Sequence, residues 1–588
     1  VPTVVLAGVV LFAGCTSGDA TPRTETTVVV TSSSTGVSTT ATNRDATAPT
    51  TPTATVETTE TSVAAAPDAA VADPDGTTSQ ITCWVAPPAP GTATISFDDT
   101  TDAAGLIRPL TGMFGHAAAW GDVDADLFPD LFVGTFADRP PERYLHRGAT
   151  EAAPDRLFLH GGDPFEVDDR FPEGYGRTSG SVFVDLDGDE DLDLVLSRNV
   201  KEAQVDMAAT EIYENTDGSF SPVTSGIDPG LGGRSVGVLD YDGDGLLDLF
   251  IVEDQYRGGS SRLYRNRGGL RFEDTTAAAG LPASLAGLGV ATADVDADGD
   301  VDLFVAGDNL LFLDDGDSFV EAPSSVFTWP PVGNEDDTAG AAFGDVDRDG
   351  RPDLVVGQHF NSTVDLGTPA PVRLFLNRTE PGGRVEFEEA GERSGLIPLP
   401  TKAPHVEIVD LDNDGWPDLL TTASAEEGTR PAVFRGLGLE GGIPRFAPPE
   451  GLGDPQYWVT GPAADVDHDG RLDVFLLEFE PSLPSYLLHN ETASGNWISV
   501  SVDPALGGGI GARVYVYEAG GSGDHDRLLG SGDITVSRGY TAGVEAIAHL
   551  GLGDVEEVDV VVELPGGSRL TAAEVPGNRH IRLPEGCG

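Results

Sequence analysis

Positive charge is scarce in this sequence. It carries 34 Lys and Arg against 97 Asp and Glu, and only two of those basic residues, Lys201 and Lys402, are lysines. The formal net charge of −63 repels phosphate backbones and anionic headgroups. Nucleic acid is therefore excluded as a partner, and so is a membrane held by a basic patch. Long apolar runs are scarce too. After the first 14 residues nothing approaches 18 consecutive apolar positions, so no transmembrane helix is expected. Cysteine amounts to 3 residues, Cys15, Cys83 and Cys587. His-Glu-x-x-His and Arg-Gly-Asp strings are missing. The chain is nevertheless not a disordered polyanion, because 39% of its residues are hydrophobic, enough for a core. Gly at 75 and Pro at 42 favour many turns over long helices. So acidic a chain invites cations.

Residues 1–14 are apolar and too few to span a bilayer, but they suit a signal-peptide core. The ending Leu11-Phe12-Ala13-Gly14-Cys15 resembles a bacterial lipobox, which implies a lipid anchor on Cys15 and a membrane contact through that anchor alone. Phe12 stands where that pattern usually has Leu. The basic n-region is missing, so the natural start is expected upstream of Val1. Residues 15–82 are expected to be a tether. Of the 65 residues from 16 to 80, 27 are Ser or Thr and none is aromatic, which leaves too little apolar surface to offset ordering entropy. Cys83 and Cys587 flank the folded part, and in an oxidising exterior they are expected to pair.

One nine-residue motif recurs seven times, its copies starting 51 to 65 residues apart. Asp occupies positions 1, 3, 5 and 9. The sets are Asp122, Asp124, Asp126, Asp130 (loop 1); Asp185, Asp187, Asp189, Asp193 (loop 2); and Asp240, Asp242, Asp244, Asp248 (loop 3). Then come Asp294, Asp296, Asp298, Asp302 (loop 4) and Asp345, Asp347, Asp349, Asp353 (loop 5). Asp410, Asp412, Asp414, Asp418 (loop 6) and Asp465, Asp467, Asp469, Asp473 (loop 7) complete the series. Ca²⁺ takes about 6–8 oxygen ligands, and carboxylates at positions 1, 3, 5 and 9 converge when the loop curls. Gly at position 6 permits the left-handed turn. Leu127 and Glu190 stand there in loops 1 and 2, so those two are expected to hold a cation less well. As solvated turns the carboxylates would repel one another with nothing to offset them. Apolar runs such as Leu131-Phe132-Val133 and Leu303-Phe304-Val305 follow the loops and read as buried strands rather than EF-hand helices.

These loops resemble FG-GAP, or VCBS-type, repeats, familiar from the integrin α-subunit propeller. The resemblance covers about 400 residues and implies a seven-bladed β-propeller over 83–491. Each blade is a four-stranded sheet, with up to seven calcium ions in the loops between the inner strands. Arg262-Leu-Tyr-Arg-Asn266 followed by Phe272-Glu-Asp-Thr-Thr276 reads as the outer two strands of a blade. The seventh copy has Tyr486-Leu-Leu-His-Asn490 but no fourth strand. The matching phrase, Phe97-Asp-Asp-Thr-Thr101, lies at the other end of the array. Strand 93–99 is therefore expected along 485–490, removing an open edge.

From residue 492 to 588 the loops stop and a small β-sandwich-like domain is expected. Asn496–Val502 and Ala512–Tyr517 alternate like strands. Ile510-Gly-Ala-Arg-Val514, Ser537-Arg-Gly-Tyr540 and His549-Leu-Gly-Leu-Gly553 resemble the ASPIC/UnbV domain, with Leu550 and Leu564 in place of the usual aromatics. Catalytic strings fail on context. Gly233-Arg-Ser-Val-Gly237 has no following helix, Gly507–Ala512 reads as a turn, and His468 at position 4 of loop 7 faces out. The class expected is an all-β, exported, calcium-binding surface protein. It acts as a monomeric binding or adhesion module for a surface protein or glycan. The alternative is a polysaccharide lyase or hydrolase, which an Arg/Tyr/His group converging on the channel would favour.

Overall fold

Each Asp-rich loop joins two antiparallel strands, and the position-9 aspartate opens the second of them. The structure, a computed structural model, describes residues 69–71 and 78–587, except 163, 200–206, 255–258, 317, 325, 328–336, 361–371, 400–402, 423–431 and 450–457. Cys15 and the expected signal segment lie outside the described residues. Among the described residues the α-helices are two single turns, Thr78–Ile81 and Gly391–Ser394, and no helix is long and apolar enough to cross a membrane.

Seven antiparallel sheets follow one another. Sheet 1 holds Gly115–Gly121, Asp130–Thr135, Arg156–Leu159 and Glu166–Val167. Sheets 2 to 5 repeat that order, beginning at Thr178, Gly233, Gly287 and Asp337. Sheet 6 keeps three strands, Val406–Val409, Asp418–Thr421 and Ala432–Phe434, beside a separate hairpin of Gly436–Glu440 and Ile443–Phe446. In sheet 7, Phe97–Asp99 pairs with Tyr486–Asn490, a shorter strand than the expected 93–99. The local bonding there copies sheet 3. Leu487 N–H donates to Thr101 Oγ1 at 2.9 Å, as Leu263 N–H does to Thr276 Oγ1 at 3.0 Å.

Apolar side chains on the two faces of each sheet meet those of its neighbours. Phe132 and Leu157 of sheet 1 cluster with Phe183 and Leu194 of sheet 2. Trp120 and Leu131 of sheet 1 also share a cluster with Val466 and Phe475 of the seventh repeat, and Trp120 Nε1 donates to Pro462 O at 3.1 Å. The first strands run close together. A Cβ on Gly289 would stand 1.9 Å from Ala339 O, so only glycine lets these two backbones pass.

After Asn490 the chain forms two sheets with a common core of Ile498, Val514, Val560 and Ile581. One runs in the order Arg569–Pro576, Glu557–Glu563, Arg513–Glu518, Leu528–Asp533. The other centres on Asn496–Val502 between Arg579–Leu583 and Ala548–Gly553. Two upstream segments add to these sheets, which differs from the expected organisation. Ala69–Val71, inside the stretch read as tether, lies parallel to Arg569–Pro576. Thr82–Val85, at the start of the stretch read as repeat body, pairs with Arg579–Leu583. Open sheet edges recruit strands through backbone groups, whatever the side chains.

A hairpin of the C-terminal module, Ser537–Arg538 with Ala542–Gly543, enters the array. Ala542 pairs in parallel with Ala118 of sheet 1. Thr541 N–H donates to Ser235 Oγ of sheet 3 at 3.1 Å, and Gly539 N–H to Ala341 O of sheet 5 at 2.9 Å. Tyr540 N–H reaches His405 Nδ1 beside sheet 6 at 3.2 Å, and the tyrosine is buried.

Candidate metal centres

Loops 1, 3, 4, 5 and 6 share one hydrogen-bond scheme; in loop 2 Asp185 Oδ1 accepts from Gly188 N–H instead, and in loop 7 Asp465 Oδ1 accepts none. Position 1 closes the turn with both oxygens: Asp240 Oδ1 accepts from Asp244 N–H at 3.1 Å and Oδ2 from Gly245 N–H at 2.9 Å. The same pair of bonds is made by Asp122, Asp294, Asp345 and Asp410. Position 5 accepts from the N–H of position 7, as Asp298 does from Asp300 at 3.0 Å. Position 9 is bonded on both sides. Asp302 Oδ2 accepts from Val295 N–H at 2.8 Å, and Oδ1 from Asp314 N–H on the third strand at 2.9 Å.

Position 3 is left over. Oδ1 of Asp187, Asp242, Asp296, Asp347 and Asp412 is buried and accepts no hydrogen bond. Asp347 and Asp412 are each only 5% exposed. A buried carboxylate oxygen without a donor is costly, and a cation is the partner it lacks. In loops 1, 2 and 3 the carboxylates of positions 1, 3 and 9 converge, their oxygens within 4.8 Å of one another. The residues therefore fit a hard cation held by oxygen.

Burial sets the charge state of an empty loop. Desolvation, only partly opposed by the backbone N–H bonds, lifts Asp130, Asp193 and Asp248 to about 8. Asp302, Asp353 and Asp418 are raised well above the usual carboxylate range by the same cause. Asp122 and Asp294 at position 1 rise to about 6. A bound cation supplies the charge that burial withholds, and holds these groups ionised.

Leu127 and Glu190 take the left-handed conformation despite their side chains, at φ 78° and 75°. Position 4 is left-handed as well, including Ala125, Ala297 and Arg348 at φ 59°, 61° and 60°. That second requirement escaped the sequence reading, because Ala and Arg give no sign of it. His468, expected to face out, is instead stacked between Trp84 and Phe128 at centroid distances of 4.0 and 4.4 Å. A flat ring on a left-handed corner projects sideways, where it meets the C-terminal module. Another missed role belongs to the asparagine ending the third strand. Asn266 Nδ2 donates to Leu186 O of loop 2 at 2.8 Å, and Asn215, Asn377 and Asn490 make the matching bond to loops 1, 4 and 6.

Cys83 and Cys587 are joined by a disulfide. Ser235 of the Gly-x-Ser-x-Gly string is buried and donates to Leu288 O at 2.8 Å. Residues Pro504–Gly509 form a 3₁₀ turn, not a dinucleotide loop. An Arg/Tyr/His group does converge at the first strands. Arg234 lies 3.0 Å from Ser179 Oγ, 3.3 Å from His116 Nε2 and 3.5 Å from Tyr540 Oη, and it pairs with Asp254 at 2.5 Å.

The repeat unit these loops define is also found in known proteins. A model of the FG-GAP-like repeat matches residues 185–251, 240–305, 294–356 and 410–476. Each match starts at the first aspartate of one loop and ends in the second strand after the next. The ASPIC and UnbV model matches residues 507–588. The chain carries FG-GAP-like repeats and an ASPIC and UnbV domain. It is homologous to cartilage acidic protein 1 of Homo sapiens, 27% identical over 436 residues that cover 69% of this chain and 63% of that protein. The Xenopus tropicalis protein is 26% identical over 68% of this chain. The chain thus spans about 63% of the length of these relatives. Among solved structures, the exotype rhamnogalacturonan lyase YesX aligns with 71% of this chain and 76% of its own at TM-score 0.38 and 12% identity. The V. cholerae biofilm matrix protein Bap1 covers 84% of this chain and 62% of its own at TM-score 0.29 and 12% identity.

Proposed function

We propose that this chain is an extracellular, calcium-stabilised binding protein whose seven sheets are the blades of one ring-shaped propeller, capped by the ASPIC/UnbV domain. The observation that carries the reading is the buried, donor-less position-3 oxygen found in loops 2 to 6. Ring closure is supported by the cluster joining sheet 1 to the seventh repeat and by the pairing of Phe97–Asp99 with Tyr486–Asn490. The Cys83–Cys587 disulfide supports an oxidising compartment. Lipidation at Cys15, a signal segment over 1–14 and a monomeric state belong to the same proposal, as do the limits 15–82, 83–491 and 492–588 with 69–71 and 82–85 reassigned to the C-terminal module. The ligand is a surface protein or glycan. A screen of both classes with the full chain, in calcium and in EDTA, tests it. Specific binding that EDTA abolishes is expected, and binding indifferent to EDTA counts against a calcium-dependent module.

A polysaccharide lyase or hydrolase is the second reading, favoured by the Arg234, His116 and Tyr540 group. Arg234 and His116 are buried beneath the hairpin that carries Tyr540, so a polymer reaches them only with the hairpin withdrawn, which also takes Tyr540 away. Depolymerisation of acidic polysaccharides by wild-type chain but not by Arg234→Ala would decide for it.

A further inference from the structure

The seven loops share their aspartates but differ in what faces them. Arg265 Nε lies 2.6 Å from Asp242 Oδ2 and its Nη2 lies 2.8 Å from Asp244 Oδ2, so a guanidinium bridges positions 3 and 5 of loop 3. Arg435 pairs with Asp412 and, at 3.1 Å, with Asp414 in loop 6. Arg378 Nη1 lies 2.7 Å from Asp347 Oδ2 and 3.3 Å from Asp349 Oδ2 in loop 5, where Arg351 also pairs with Asp349. Loop 7 holds His489, 3.1 Å from Asp473 and 3.8 Å from Asp467, and Arg471 pairs with Asp469.

The register of the third strand explains the pattern. Arg265, Arg435 and His489 each precede the residue whose N–H reaches the position-9 aspartate, namely Asn266, Gly436 and Asn490. Arg378 follows its counterpart, Asn377. In loops 1, 2 and 4 the preceding residues are Leu159, Glu214 and Leu313. None of these is basic, and Glu214 adds a carboxylate beside Asp187. Among the described residues no arginine or histidine comes within ion-pair distance of the motif aspartates of these three loops; Arg170 near loop 1 is paired with Asp168 and acts on Asp124 only at longer range.

We propose that arginine and histidine side chains substitute for the cation in loops 3, 5, 6 and 7, so that calcium is held by loops 1, 2 and 4. The proposal rests on the calcium reading above and narrows it. A guanidinium spanning two carboxylates sets its charge beside positions 3 and 5; Arg378 hydrogen-bonds both aspartates, and Arg265 and Arg435 hydrogen-bond the position-5 one. Calcium entering loop 3 must first break both contacts of Arg265. Nothing has to leave loop 4, where no guanidinium among the described residues faces Asp296; in loops 3, 5 and 6 the arginines meet Oδ2 of the position-3 aspartate, and its Oδ1 stays without a donor. The glycine rule read from sequence thus inverts. Loops 1 and 2 lack the glycine at position 6 yet adopt its conformation, while the four loops filled by arginine or histidine all keep it.

The test counts metal on the full chain. Chelator-stripped protein is dialysed against about 10 μM calcium, the upper end of the sensor-site affinity range, and bound calcium is read by inductively coupled plasma mass spectrometry. Three equivalents are expected for wild type. Arg265→Leu and Arg435→Leu, which copy the residue types of loops 1 and 4, are each expected to hold four. Leu313→Arg, which copies loop 3, is expected to hold two. The melting temperature of each variant shows that it is folded, and the two leucine variants stand in for each other. Seven equivalents in wild type, or three in both leucine variants, overturn the proposal while calcium binding stands. No calcium in any of them overturns the calcium reading itself.

Discussion

Calcium and protons should compete for the loops, and the structure sets the size of the exchange. Asp130 and Asp193 are raised to about 8 by burial, and Asp302 is raised well above its ordinary range. At pH 7 a group at about 8 is roughly nine-tenths protonated, so filling loops 1 and 2 should expel about 2 protons from Asp130 and Asp193, and the raised Asp302 of loop 4 adds to the release. At pH 9 the release should fall by about 2 protons, because Asp130 and Asp193 are then mostly ionised already. The sign for stability follows. Asp130 and Asp193 have folded-state values above their unfolded ones, so their contribution is fully present below about 4 and is lost as pH rises through about 8. For Asp130 and Asp193 that span corresponds to on the order of 5 kcal/mol each, an upper bound because an empty loop opens rather than holding the charge. In EDTA the melting temperature should therefore fall between pH 5 and pH 9, and in millimolar calcium it should hold. Scanning calorimetry across that range, with pH-stat titration of the calcium step, measures both. Parallel pH profiles with and without calcium, or a calcium step that releases no protons at pH 7, would refute the reasoning.

Three further outcomes are expected. Asn266→Ala removes buried bonds to Leu186 O and Leu247 O at 2.8 and 3.1 Å and should cost about 2–5 kcal/mol in denaturant unfolding. Reducing the Cys83–Cys587 disulfide, which spans 504 residues, should cost up to roughly 6 kcal/mol by the chain-entropy relation. It is read as a drop in melting temperature with reductant that the Cys83→Ser variant no longer shows. Tyr540→Ala should cost about 3–5 kcal/mol, as for other fully buried aromatics, and should speed amide exchange in 537–543.

Much of the array is legible in the sequence because its signals are local. The run after each loop is a strand wherever Leu, Val, Ile and Phe follow the position-9 aspartate, as in Asp302–Gly307. The strand completing sheet 7 is legible because Asp99 and Thr101 repeat Asp274 and Thr276, residues that bond to one another in the same way. Features that depend on tertiary approach are not legible. Ser537–Gly543 has no apolar period, and its place is set by backbone bonds to strands hundreds of residues away. Thr82–Val85 looks like the start of the repeats but completes a sheet made by the other end of the chain. Arg265 and Leu313 are plain in the sequence. What they mean for a loop appears only once the third strand is in register with the position-9 aspartate.

The hairpin around Tyr540 bears on how this protein can change over time. Arrays of similar units readily gain or lose a copy, since each unit contacts mainly its neighbours. Here one seven-residue segment from outside the array touches Ala118, Ser235, Ala341 and His405 at once, residues belonging to the first, third, fifth and sixth units. Duplicating or deleting a unit between any two of them would leave the hairpin out of step with its partners. The C-terminal module therefore acts as a gauge of repeat number, and recombination within the array should be tolerated only when it exchanges units one for one.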